Sequence, residues 1–203
     1  MIVNPSTDAI EKYIQRALSD WNIPGAAVSI LHRDDVISSC AYGERELNSG
    51  DAVTEQTRFA IGSCSKAMTA AMIGALVDRN VLSWDDTILK HVPDFKLYDP
   101  WVTKHVTIRD LLSHRTGLGR AIRLLYRDRV FNPSDIIRSM EFLQPAAGFR
   151  AGFGYNNPHF IAASAAAEAA SGKPWDELVR ELLLEPLGMQ SSYTSLDRMK
   201  QSS

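Results

Sequence analysis

The sequence predicts an α+β protein on three observations: an amphipathic helix at the start, a β-hairpin directly after it, and a mainly helical pattern from residue 63 onward. With 203 residues and 45% hydrophobic content, the chain can bury one substantial core or two small subdomains.

The first helix is expected from about Thr7 to Trp21, because Ile10, Ile14, Ala17, Leu18 and Trp21 recur at helical spacing behind Ser6 or Thr7 as cap. Pro24-Gly25 ends it. Ala26 to His32 and Val36 to Tyr42, both containing β-branched residues, flank the polar turn Arg33-Asp34-Asp35 and read as a hairpin. Residues 43 to 56 form a polar connection, followed by a short apolar stretch, Phe59 to Ile61, that suits a strand. Helical segments follow near 64 to 79, 108 to 113, 134 to 142, 158 to 170 and 175 to 184.

Their boundaries have chemical causes. Thr107 with Asp110 resembles a capping box, Asn132-Pro133-Ser134-Asp135 combines a cap with an early proline, and Gly172 stands where a helix end needs a left-handed residue. The expected division is 1–62, part of a sheet-bearing subdomain, and 63–203, a helical subdomain.

Several function classes find no support. The 22 basic and 24 acidic residues are interspersed, which argues against nucleic-acid binding. Arg115, Arg120, Arg123, Arg127 and Arg129 make one locally basic stretch, which fits a solvated helix face better than an anion site and is assigned no role. Cys40 and Cys64 are too few for a disulfide framework or a zinc site and are expected to be free, buried thiols. The five histidines lack paired ligand spacing, and no cofactor-binding pattern is present. The N-terminus lacks the pattern of a signal peptide, so a cytoplasmic location is expected, and no apolar stretch reaches the roughly 20 residues of a membrane span.

The chemistry is concentrated in two segments. In Gly62-Ser63-Cys64-Ser65-Lys66, residues three apart at the start of a helix share one face, with Cβ atoms about 5–6 Å apart, so the Lys66 amine can reach the Ser63 hydroxyl. A hydroxyl is a poor nucleophile until something takes its proton. A lysine does so only as the neutral amine, which burial among Ala67, Ala70 and Ala71 and the positive end of the helix would favour. The second segment, Gly152-Phe153-Gly154-Tyr155-Asn156-Asn157-Pro158, is a glycine-flexed loop presenting a phenol and an amide just before a helix. Each segment alone fits an ordinary reading, a solvated lysine or an asparagine helix cap. The pair is more specific.

With these motifs the sequence resembles the superfamily of class C β-lactamases, D-alanyl-D-alanine carboxypeptidases, D-aminopeptidases and family VIII esterases. The likeness extends to Thr107 through Leu118, TIRDLLSHRTGL, and to Glu185-Pro186-Leu187-Gly188-Met189. It implies a β-lactamase/transpeptidase-like fold and a covalent acyl-enzyme route. In that route Ser63 is the nucleophile, Lys66 the general base, Tyr155 its proton-sharing partner and Asn157 a positioning residue, while the Ser63 N–H is one oxyanion donor. No cofactor or metal is implied. The substrate would be a small molecule or short peptide: an ester, amide or D-amino-acid peptide, with a β-lactam as the alternative.

The family's third motif, Lys or His followed by Thr or Ser and Gly, has no match after Asn157. The expectation is therefore a fold whose C-terminal strands and final helix are missing from this chain, with that segment as its completing partner. Two other readings compete: a catalytically idle penicillin-binding-like module, and a Ser-His hydrolase using His114 or His159. Neither histidine has a Gly-x-Ser-x-Gly context, and His114 is expected to satisfy backbone instead.

Overall fold

The computed structural model describes residues 7–119 and 132–201, which belong to two compact units, Met1–Ala60 and Ile61–Ser203. Four of the arginines in the basic stretch, Arg120, Arg123, Arg127 and Arg129, lie outside the described residues, as does Ser6.

In the first unit, α1 (Thr7–Asp20) keeps Ile10, Ile14, Ala17 and Leu18 half-buried on one face. Trp21, expected to continue that face, falls just past the helix end and is 79% exposed. Strands β1 (Gly25–His32) and β2 (Asp35–Gly43) pair antiparallel, and His32 opposite Asp35 leaves a turn of only Arg33 and Asp34. Arg33 takes a φ of 58°, which the tight turn requires. The register slips between Ile30 and Leu31, so β2 carries one extra residue, a bulge that bends the ribbon. Among the described residues the sheet has these two strands alone, and Phe59 to Ile61 is not a third.

The second unit is helical, and its core is built from small and branched residues. Helix α2 (Ser65–Asp78) buries Thr69, Met72, Ile73 and Leu76, spaced as a single stripe. Two short helices follow, α3 (Pro100–His105) and α4 (Ile108–Leu112). The first was not foreseen: it spans six residues, too few for a period, and starts because Asp99 accepts from the Trp101 N–H at 2.7 Å ahead of an N-terminal proline. The capping box at α4 forms in full.

Helix α5 (Pro133–Ser139) begins at the Asn132 cap, where Asn132 Oδ1 accepts from the Asp135 N–H at 2.9 Å. Helix α6 (Asn157–Ser171) buries Ala162, Ala163, Ala166 and Ala167 completely, so its backbone packs closely against its neighbours. It ends at Gly172, whose φ of 71° makes it the left-handed cap. The segment expected as one helix from 175 to 184 is α7 (Trp175–Val179) running into a π-helical turn at Arg180–Leu184, and α8 (Leu196–Gln201) follows. Ile88, Val106, Ile108, Leu111 and Met140 complete the core. No helix among the described residues is long and apolar enough to cross a membrane.

Candidate active site

Ser63 and Lys66 are brought together by local geometry. Gly62–Cys64 form a 3-10 turn and α2 starts at Ser65, so Ser63 stands one turn ahead of the α-helix instead of opening it. The Ser65 hydroxyl donates to the Gly62 carbonyl at 2.7 Å and holds that turn. Lys66 Nζ donates to Ser63 Oγ at 3.2 Å, while Ser63 itself is exposed and open to a reactant.

The surroundings of Lys66 differ from those expected. Helix α2 is apolar almost all round, but only one stripe of it is buried; Ala67 and Ala71 are exposed and Ala70 is half-buried. The lysine is flanked by rings instead, with Nζ 4.8 Å from the Tyr155 centroid and 5.6 Å from that of Phe160. Aromatic faces attract a cation and shield it partly from water. Phe160 lies three residues after Asn157, one turn along α6, so helical spacing could have found it. Cys64 is exposed and Cys40 half-buried, both free, so the expectation of buried thiols fails. Cys64 lies in the same exposed turn as Ser63.

Tyr155 arrives from 92 residues away, and its hydroxyl donates to Ser63 Oγ at 2.7 Å. The preceding segment is laid along residues 114–118 by backbone bonds. Ala146 and Ala147 donate to the Gly117 carbonyl at 2.9 and 3.1 Å, Arg150 donates to that of Arg115 at 2.8 Å, and Gly154 to that of His114 at 2.9 Å. Gly154 must lack a side chain, since a Cβ there would stand 2.6 Å from the Leu118 carbonyl oxygen.

Asp110 fastens the same arrangement. It is 1% exposed and accepts from Arg150 at 2.9 and 2.7 Å, from Arg115 at 3.3 Å and from the Thr107 hydroxyl at 2.8 Å. Burial would raise its carboxyl, but the hydrogen bonds from Arg150 and Thr107 outweigh burial and hold it below the usual range. Arg115, in the basic stretch assigned no role, thus belongs to this ion cluster. The segment matched in sequence as a landmark is, physically, the bench on which the Tyr155 loop rests.

Asn157 is the first residue of α6 and lines a groove of about 430 Å³ with Lys66, Ser65, Thr69, Phe160 and Trp175. Its buried side-chain oxygen has no hydrogen-bond partner. Ser63, Lys66 and Tyr155 therefore meet directly, whereas Asn157 shares a groove with Lys66 and is not hydrogen-bonded to it. Nor does it cap the helix: the cap position is Asn156, which makes no capping bond and donates through its amide to the Gly119 carbonyl at 2.7 Å. His114 accepts from the Asn156 backbone N–H at 3.2 Å, a backbone-satisfying role. Neither His114 nor His159 is hydrogen-bonded to Ser63.

An α+β chain whose helical unit presents a serine between a lysine and a tyrosine defines a class, the penicillin-binding-protein and β-lactamase fold. The family described as Beta-lactamase matches residues 10–202, and the chain belongs to that family. It is 34% identical to the unguisins hydrolase of Aspergillus campestris over 98% of this chain and 38% of that protein. It is 28% identical to penicillin-binding protein 4 of Amycolatopsis lactamdurans over 87% of this chain and 46% of that one. Among solved structures, the octameric penicillin-binding protein homologue from Pyrococcus abyssi superposes with a TM-score of 0.84 at 27% identity, covering 98% of this chain and 47% of that one. The chain thus spans less than half the length of these relatives.

Proposed function

We infer that this chain is the nucleophile-bearing part of a serine hydrolase working through a covalent acyl-enzyme on an ester, amide or D-amino-acid peptide. The observation that carries the reading is the double hydrogen bond to Ser63 Oγ, from Lys66 Nζ at 3.2 Å and the Tyr155 hydroxyl at 2.7 Å. Ser63 Oγ attacks the carbonyl carbon and loses its proton into the Lys66–Tyr155 pair. The same proton returns to the leaving group as the carbonyl re-forms, and water then releases the acyl group by the reverse relay. The Ser63 N–H supplies one oxyanion donor, and Asn157, with an unused amide oxygen, orients the substrate.

The hydrogen bonds of Lys66 and Tyr155 to Ser63 favour a hydrolase over an idle binding module, as does the name of the Aspergillus campestris relative, a hydrolase. An esterase or D-aminopeptidase/carboxypeptidase-like activity is the first choice of substrate class, a β-lactamase the second. The test is labelling of the full-length protein with a fluorophosphonate, followed by peptide mass spectrometry, and turnover of p-nitrophenyl esters, D-aminoacyl amides and nitrocefin. The adduct should sit on Ser63 and vanish in Ser63→Ala. An adduct that persists there, on Cys64 or Ser65, refutes the assignment.

A further inference from the structure

Behind Tyr155 lies a series of hydrogen bonds that the acyl-transfer scheme does not use. His114 and His159 are 5% and 0% exposed. Their Nδ1 atoms are 3.2 Å apart; His159 Nε2 is 2.7 Å from Thr116 Oγ1, which in turn accepts from the Leu118 N–H at 3.2 Å. His114 Nδ1 also meets the Asn156 N–H at 3.2 Å.

The donors settle where each proton sits. A backbone N–H can only donate, so His114 Nδ1 accepts and the proton of the neutral ring is on Nε2. The contact between the two Nδ1 atoms then needs a donor, which is His159 Nδ1–H. His159 Nε2 is left to accept the Thr116 hydroxyl. One lone pair on His114 Nδ1 is shared by two donors, in keeping with two contacts of 3.2 Å.

One residue therefore holds both neighbours of Tyr155. Gly154 donates to the His114 carbonyl and Asn156 to the His114 ring, which lies 4.8 Å from the Tyr155 ring. His114 takes a left-handed φ of 57°, an uncommon conformation for an L residue, in the turn where it makes both bonds.

We propose that His114 and His159 are positioning residues for the Tyr155–Asn157 turn. By receiving the Asn156 N–H on a ring whose tautomer His159 enforces, they fix where the Tyr155 hydroxyl and the Asn157 amide stand relative to Ser63. This rests on the reading of Tyr155 as a proton-handling partner. Neither histidine touches the reacting atoms.

The test uses the limiting rate and the half-saturating concentration of Ser63 labelling by a fluorophosphonate, in the full-length protein. His159→Leu should lower the limiting rate roughly ten- to hundredfold, the scale of a misplaced catalytic group, with the half-saturating concentration little changed. His159→Asn, whose Nδ2 stands near the imidazole Nδ1 and can donate the same proton, should restore most of the rate. His159→Gln, which reaches only the Nε2 position, should not. A folded His159→Leu protein that labels at the unaltered rate overturns the proposal, as does an Asn variant no better than Gln. Should these variants fail to fold, nitrogen NMR of the unaltered protein decides: His159 protonated on Nδ1 and His114 on Nε2 support it, and any other pairing refutes it. Tyr155→Phe separates the two readings. Unchanged labelling there removes the role of Tyr155 and this proposal with it, whereas a slow Tyr155→Phe beside a fast His159→Leu removes only the positioning role.

Discussion

The two units of this chain bury their apolar residues very differently. Among the described hydrophobic residues of the first unit, only Val53 is buried, while Leu31, Val36 and Ile37 on the hairpin are 65, 62 and 43% exposed. The second unit packs Met72, Ile73, Ile88, Val106, Ile108, Leu111 and Met140 to complete burial and carries Ser63, Lys66, Tyr155 and Asn157. A two-stranded ribbon has one hydrogen-bonded neighbour per strand and little to cover its faces, and is at best marginally stable alone. A set of short helices closes its backbone bonds internally, so it can build a core from segments of five to fifteen residues. The hydrogen bonds of Lys66 and Tyr155 to Ser63 depend on exact placement, and they lie in the unit with the core.

The contrast can be broken most directly by emptying the core. Leu111→Ala, at a position with no exposure, should cost about 2–5 kcal/mol in urea unfolding. Leu31→Ala in the hairpin should stay within about 0.5 kcal/mol. Equal losses would show that the ribbon is covered as tightly as the helices.

Asp110→Ala is expected to cost somewhat less, about 2–3 kcal/mol, since it removes charge-assisted bonds from Arg150 and the α4 capping box, while Arg150 and Arg115 can turn to water. It should slow Ser63 labelling as well, because Arg150 ties down the Tyr155 loop. A stable, slow variant would separate placement of that loop from stability.

Acid sharpens the comparison further. Burial, and to a lesser degree the neighbouring His114, push His159 down to about 3, and burial followed by the Lys66 charge pushes His114 down. An unfolded chain binds a proton at His159 as the pH falls below about 6.5, whereas the native protein does not until about 3. The helical unit should therefore lose stability progressively through that window, by roughly 2 kcal/mol between pH 6.5 and pH 5 for His159 alone. His159→Asn should flatten the slope, measured as unfolding midpoint against pH. Asp86, lowered to about 2 by its bonds to Lys90 and His91 against the effect of burial, weakens the fold only below about pH 4 and does not confuse the reading. An unchanged slope in the variant would exclude His159 as its source.

The smallest effect concerns dynamics. Amides of α2 and α6 should exchange with solvent more slowly than those of β1 and β2 by roughly two orders of magnitude or more, read by hydrogen exchange on the 203-residue chain. Comparable protection would mean that the two units open together.

Much of this architecture was legible beforehand because its causes are local. The period of Ile10, Ile14 and Leu18, the β-branched runs around Arg33-Asp34, the Thr107–Asp110 box and the Gly172 stop each act within a few residues, and each element forms where its signal lies. Ser63 beside Lys66 is equally local, a matter of one helical turn. Tyr155 could be singled out only by motif, since nothing in the chain between two residues 92 positions apart says that its hydroxyl will reach Ser63.

What the sequence by itself determined was the opening helix and hairpin, the places of the longer helices after them, the serine–lysine pairing and the family to which they belong. Tertiary structure decided which face of the apolar α2 is buried, that rings and not alanines flank Lys66, and that Cys64 is exposed. It also decided that His114, Thr116 and His159 form one series behind Tyr155. The physical reason is that hydrogen bonds between residues 43 to 45 positions apart depend on how α4 and α6 pack, and no period in the chain records that packing.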